Sequence, residues 1–238
     1  MTLASAIITR AYRRTNIIPL VATPSTAQQT EALDMLNPII LSTIGYEAGQ
    51  ELRDLNIGGD YDQSQSVATW VPENSRLILN LSSAETLNLD PHPYEGQRLA
   101  FADAGNNLAT YNLTLDGNGR TIEGSATLTL STDGDTRQWL YRADTANWVK
   151  INTLAESDEM PLPSEFDPYF VAMLAMELNP SYGLGMTAES QAVLSRTRAQ
   201  IQARYRKLMR RNEPMLGLFH QRRGYYSETS TAFNFGRP

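Results

Sequence analysis

Imidazoles, thiols and clustered carboxylates are where chemistry would show first, and this chain has few of them. His92, in Asp90-Pro91-His92-Pro93, and His220 are its two histidines, and cysteine is absent from its 238 residues. Neither histidine sits in an H-x-x-x-H or H-E-x-x-H spacing, so zinc chemistry has no ligand set. His92, between prolines, reads as a solvent-facing turn residue. Without cysteine there is no thiolate nucleophile, no thiolate metal site and no disulfide framework. Gly183-Leu184-Gly185 lacks the following glycine and lysine of a phosphate loop, Gly117-Asn118-Gly119 joins strand patterns, and no G-x-S-x-G elbow occurs. Glu156, Asp158 and Glu159 could offer oxygen ligands to a divalent cation or form a solvated acidic junction. The expectation is a protein that is not an enzyme, with no catalytic residue, no metal and no cofactor.

Two other groups of residues could recognise a partner. Trp139, Tyr141 and Trp148 could stack on a sugar or nucleobase, or pack as cross-strand core residues. Arg204, Arg206, Lys207, Arg210, Arg211, Arg222 and Arg223 are interleaved with Phe219, Tyr225, Tyr226, Phe233 and Phe235 towards the C-terminus. The net charge of −6 hides an asymmetry: residues 1–186 carry 10 Lys/Arg against 23 Asp/Glu, and residues 187–238 carry 10 against 3. A +7 end on a −13 body points to a charged partner for that end. Phosphates would bind it in a salt-sensitive way, but the acidic body disfavours a dedicated DNA reader, and arginine with tyrosine suits a protein interface. Arg204, Arg210, Arg211, Phe219, Arg222, Arg223, Tyr225, Tyr226, Phe233 and Phe235 are the candidate partner-binding residues.

The elements that must carry these residues come in three blocks. Leu3, Ile7, Ala11, Ala4 and Ile8 make one helical stripe over residues 2–15, closed by Arg10, Arg13 and Arg14. Ser25-Thr26-Ala27-Gln28 is a capping box that starts a second helix, with Leu33, Leu36, Ile40 and Ile44 on its inner face and a kink at Pro38. It should fade before Gly58-Gly59, and residues 56–66 read as a linker. The period then changes to two. Arg76 to Leu81, Arg98 to Ala102, Tyr111 to Leu115, Ser125 to Leu130, Thr136 to Tyr141 and Asn147 to Ile151 are strand patterns, with Asp116-Gly117-Asn118-Gly119 as a tight hairpin turn. Regular short strands of this kind predict an antiparallel sandwich or small barrel. A third helix, capped by Ser164 or by Asp167 with Pro168 behind it, carries the longest apolar run, Tyr169 to Met176, and should stop at Asn179-Pro180. That run is far short of the roughly 20 residues of a membrane span. A fourth helix runs from Thr187 to about Arg211, with Leu194, Thr197, Ile201, Tyr205 and Leu208 on one stripe. The expected fold is α+β: an antiparallel bundle of helices divided into residues 1–66 and 154–212, an inserted β domain at 67–153, and an extended docking arm at 213–238. The arginines after the N-terminal apolar stretch are the reverse of a secretory signal, which predicts synthesis in a cytoplasm.

Asp158-Glu159-Met160-Pro161, followed by Phe166, a buried helix, a short loop, a long polar helix and a tail with tyrosine and glycine, resembles the tail tubular protein A and head-to-tail adaptor family of short-tailed bacteriophages. The first helix with Pro24-Ser25, the Ala32-Leu33-Asp34-Met35-Leu36 segment, and Tyr141 to Trp148 are also similar to that family. The resemblance implies a structural virion protein located where head meets tail, and no catalysis. Its partners would be the portal protein, the tail nozzle protein and other copies of itself in a ring of about twelve, with DNA passing through. An alternative from another class is a glycan-binding tail module using Trp139, Tyr141 and Trp148.

Overall fold

A computed structural model describes residues 2–44, 52–58, 70–181 and 188–209. Its elements in chain order are α1 (Ala4–Arg14), α2 (Thr26–Ser42), β1 (Arg53–Gly58), β2 (Ser75–Asn80), β3 (Glu85–Asn88), β4 (Arg98–Asp103), β5 (Leu113–Asp116), β6 (Thr121–Ile122), β7 (Thr127–Leu130), β8 (Thr136–Arg142), β9 (Asn147–Lys150), a 3-10 turn (Ser164–Phe166), α3 (Asp167–Ser181) and α4 (Ala188–Met209).

The expected architecture, an antiparallel helical bundle carrying an antiparallel sandwich or small barrel, is not the one the chain adopts. Its strands wind as a β-solenoid of about four turns. β1 lies parallel to β2, β2 to β4, β3 to β5 and β6 to β9. Among the described strands, the β4–β8, β8–β9 and β5–β7 pairs are antiparallel. For β2 and β4, and for β3 and β5, the parallel pairing arises because the chain crosses to the other sheet and returns in the same direction one layer on. Two sheets result, in the orders β1-β2-β4-β8-β9-β6 and β3-β5-β7. Asp116-Gly117-Asn118-Gly119 is therefore not a hairpin turn between paired strands: it carries the chain from β5 in the smaller sheet to β6 in the larger.

Asparagines serve the corners of this coil. Asn74, Asn106 and Asn118 hold positive φ values of 50°, 51° and 50°, a region asparagine tolerates better than most side chains. Their side chains or neighbours then stitch one layer to the next. Asn74 Oδ1 accepts from the Arg98 amide at 3.0 Å, Asn107 Nδ2 donates to the Leu81 carbonyl at 2.5 Å, and Asn118 Nδ2 to the Leu89 carbonyl at 3.0 Å. Inside the coil, Leu77, Leu79, Leu87, Leu99, Phe101, Leu113, Leu115, Trp139, Tyr141 and Trp148 form one apolar cluster.

A second cluster draws on both ends of the described chain. Ala4, Ile7, Ile8 and Ala11 of α1, Ala32, Leu36 and Ile40 of α2, Phe170, Leu174 and Leu178 of α3, and Ile201 and Tyr205 of α4 share it with Leu140, Ile151 and Leu154 from the coil side. α3 is the hub and packs against each of the other three helices. The capping box of α2 forms as its sequence suggests: the Gln28 amide donates to Ser25 Oγ, and Gln28 Oε1 accepts from the Ser25 amide. α1 has no side-chain cap. Its orphan amides at Ala4 and Ser5 donate instead to the carbonyls of Asp158 and Glu156, at 3.0 and 3.1 Å. α2 continues through Pro38, and α3 runs to Ser181, past the stop expected at Asn179-Pro180.

Candidate functional site: the root of the basic segment

β8 lies between the two cores. Trp139 and Tyr141 turn into the coil while Leu140 turns towards the helices, so both faces are buried and no simple alternation survives. Arg142 ends this strand with its side chain 5% exposed. A buried guanidinium must be fully engaged, and this one is: Nε and Nη2 fork onto Asp144 at 3.0 and 2.5 Å, while Nη1 binds Glu159 and the Met160 carbonyl. Burial pulls the Arg142 pKa down, but the hydrogen bond to Asp144 and the fields of Glu159, Asp144 and Glu95 outweigh it and raise it. The same hydrogen bond holds the Asp144 carboxyl below its usual range.

The loop before β4 forms the other half of the joint. Gly96 N donates to the Tyr141 carbonyl at 3.0 Å, which places Glu95 against the end of β8. Glu95 Oε2 accepts from the Ala143 amide at 2.7 Å, and Oε1 accepts from the Tyr205 hydroxyl of α4 at 3.0 Å. Gly96 is required: its φ is +87°, and a Cβ there would lie 2.9 Å from Tyr205 Cδ1. Tyr205 is 2% exposed and packs against Phe166 with ring centroids 6.1 Å apart. Arg204 pairs with Glu165, lies 3.6 Å from Glu95, and has its guanidinium carbon 5.7 Å from the Phe166 ring centroid. α4, which leads to the basic segment, is thus fastened to the coil at its far end.

Of the ten candidate partner-binding residues, Arg204 is the one the structure describes, and it is engaged within the chain. Arg210, Arg211, Phe219, Arg222, Arg223, Tyr225, Tyr226, Phe233 and Phe235 lie outside the described residues. Trp139, Tyr141 and Trp148 are brought together, but at 0%, 3% and 2% exposure they present no open ring face to a sugar. His92 is exposed, its amide donating to Asp90 Oδ1 at 2.8 Å. The acidic trio is divided: Asp158 pairs with Lys150 at 2.7 Å, Glu159 with Arg142, and the Glu156 carbonyl caps α1. Lys150, Asp158 and Glu159 line an open concavity of about 370 Å3. Among the described residues no group of three or more His, Cys, Asp or Glu is placed to hold a metal ion, and no helix is long and apolar enough to cross a membrane. The arrangement positions elements; none of its groups forms a nucleophile and base pair.

Reading the sequence missed Glu95 and Gly96 altogether. The available signal was Arg142 itself, whose inward parity on β8 demands acidic partners.

Tyr205 gives this joint a pH dependence. Burial first, then the field and hydrogen bond of Glu95, push its phenol well above the usual value. A raised folded pKa stabilises the neutral form. That contribution is complete below the unfolded value near 10 and is lost as pH climbs from there towards the folded value. Unfolding free energies from urea titrations between pH 9 and 11 are expected to fall more steeply for the wild type than for Tyr205→Phe, by up to about 1.4 kcal/mol per pH unit. Equal slopes would show that the phenol titrates normally.

No family model matches the chain, and no curated protein matches it. One solved structure similar to part of it, described as a chaperone–substrate complex, shares 16% identity over 32% of this chain, with a TM-score of 0.26. The match spans 12% of that chain. Likeness this slight carries no argument about fold or function.

Proposed function

We propose that the chain is a structural virion protein, an adaptor that joins the portal of a short-tailed phage to its tail nozzle as a ring and forms part of the DNA conduit. The observation that carries this reading is the order of the chain. A helical core drawn from both ends of the described sequence is interrupted by a complete β module and leads, through a basic helix, to an aromatic and basic segment. The Asp158–Pro161 stretch that resembles the adaptor family also lies at the joint: Asp158 and Glu156 cap α1, Glu159 grips Arg142, and the Met160 amide donates to the Thr2 carbonyl at 2.9 Å.

Charge supports the same reading. A conduit must let a polyanion pass without holding it, and a body of −13 repels DNA while an end of +7 suits an acidic protein partner. In this assignment the solenoid faces the nozzle or neighbouring components. Incubating the protein with purified portal and imaging by electron microscopy is expected to show added annular density at one end of the portal. Portal rings without added density, at protein concentrations well above those of the portal, would end the proposal.

A further inference from the structure

β7 is the outer strand of the smaller sheet: β5 pairs with it on one side. On the other side, among the described residues, no backbone group of Thr127–Leu130 has a partner. Proteins usually protect such an edge with charge, proline or a bulge. From Ser125 to Thr132 there is neither a charge nor a proline. Thr127 and Thr129 are exposed, and Leu128 is half-buried. The outer strand of the larger sheet differs, since β1 opens with Arg53 and with Asp54, the latter bound to Arg76. One end of the solenoid is charged and the other is left bare.

We infer that β7 pairs antiparallel with β7 of a second copy of this chain, making one continuous six-stranded sheet. The segment is complementary to itself. With Thr129 on the two-fold axis, Leu128 comes opposite Leu130 of the second copy, and Thr127 opposite its Ser131. The leucines extend the apolar face that packs on the coil core. The hydroxyls extend the outer face, where Thr114 Oγ1 and Thr129 Oγ1 are already 3.4 Å apart. The flanking acids are engaged within the chain: Glu123 and Asp135 lie 3.8 and 2.9 Å from Arg137, and Asp133 Oδ1 accepts from the Ala109 amide at 2.7 Å. A short strand pair buries less than the roughly 1,200 Å2 of a stable complex, so the dimer is weak. A two-fold contact has no place inside a purely cyclic ring, so this pairing belongs to the free protein and rests on no part of the adaptor reading.

The natural absence of cysteine makes the test clean. Paired residues in an antiparallel ladder have Cα atoms about 4.5–5.5 Å apart, inside the range a disulfide spans. Under mild oxidation Thr129→Cys is expected to give at least ten times more linked dimer than Thr114→Cys, whose strand is covered on both sides, with circular dichroism showing both variants folded. In sedimentation, wild-type mass should rise towards twice the monomer with concentration, and Thr129→Lys, which sets like charges on the axis, should stay monomeric. Equal cross-linking from the two cysteine variants overturns the inference, as would arise if the chain's own residues shield the edge. So does a wild type that remains monomeric at the highest concentration, or a Thr129→Lys variant that still dimerises.

Discussion

Arg142→Ala is expected to destabilise the protein by roughly 3 kcal/mol, the low end of the range for breaking a buried ion pair. The arithmetic follows the exposure of its partners. Asp144 is 44% exposed and recovers water once released, so its half of the fork costs little. Glu159 is 14% exposed, and together with the Met160 carbonyl it would be left buried without its donor. That unpaired charge dominates. For a chain of this length the loss corresponds to a fall of roughly 6–12 °C in Tm. Arg142→Lys should recover little, because one ammonium cannot fork onto Asp144 and reach Glu159 together. Arg142→Ala combined with Glu159→Gln should recover part of the loss by removing the stranded charge. A single-variant cost below about 1 kcal/mol in urea titration would show that the joint is solvated and does not hold the coil to the helices.

Much of the local structure was legible and the global winding was not. Ser25-Gln28, the Leu36 and Ile40 stripe, the apolar run at Tyr169 to Met176 and six of the nine strands among the described residues all leave local marks, because caps and periodicity act within a few residues. Strand direction leaves none. Alternation of Leu77 and Leu79, or of Leu113 and Leu115, is the same whether the next layer runs parallel or antiparallel, and glycine with asparagine serves a coil corner as well as a hairpin. The recurrence of asparagine at positions 74, 106, 107 and 118 was the clue to a repeated corner. β1 was assigned to the fading end of a helix and a linker, although Leu55 and Ile57 alternate as a strand does. β3 was too short to stand out from its turns.

The joint was hidden for a related reason. β8 is buried on both faces at its end, so Trp139, Leu140 and Tyr141 show no polar side from which to infer orientation. Its partner Glu95 lies 47 residues upstream of Arg142 in the chain, and only the coil brings them together. Arg204 was assigned to docking by its charge alone; its pairing with Glu165 and its place beside Glu95 depend on how α4 packs. Charge composition says that a segment seeks a partner, but not whether that partner is in another chain.

The adaptor reading assigns docking to the basic and aromatic segment, and among the described residues both apolar clusters end at or before Tyr205. On that reading residues 213–238 dock on the portal, so the truncated protein should keep the wild-type unfolding free energy, from urea titration, within about 0.5 kcal/mol. Its attachment to purified portal, measured by co-sedimentation beside the full chain, tests the reading most directly. The account predicts a folded protein whose portal binding falls at least a hundredfold. Undiminished binding by the truncated chain would contradict it and move the contact to the body.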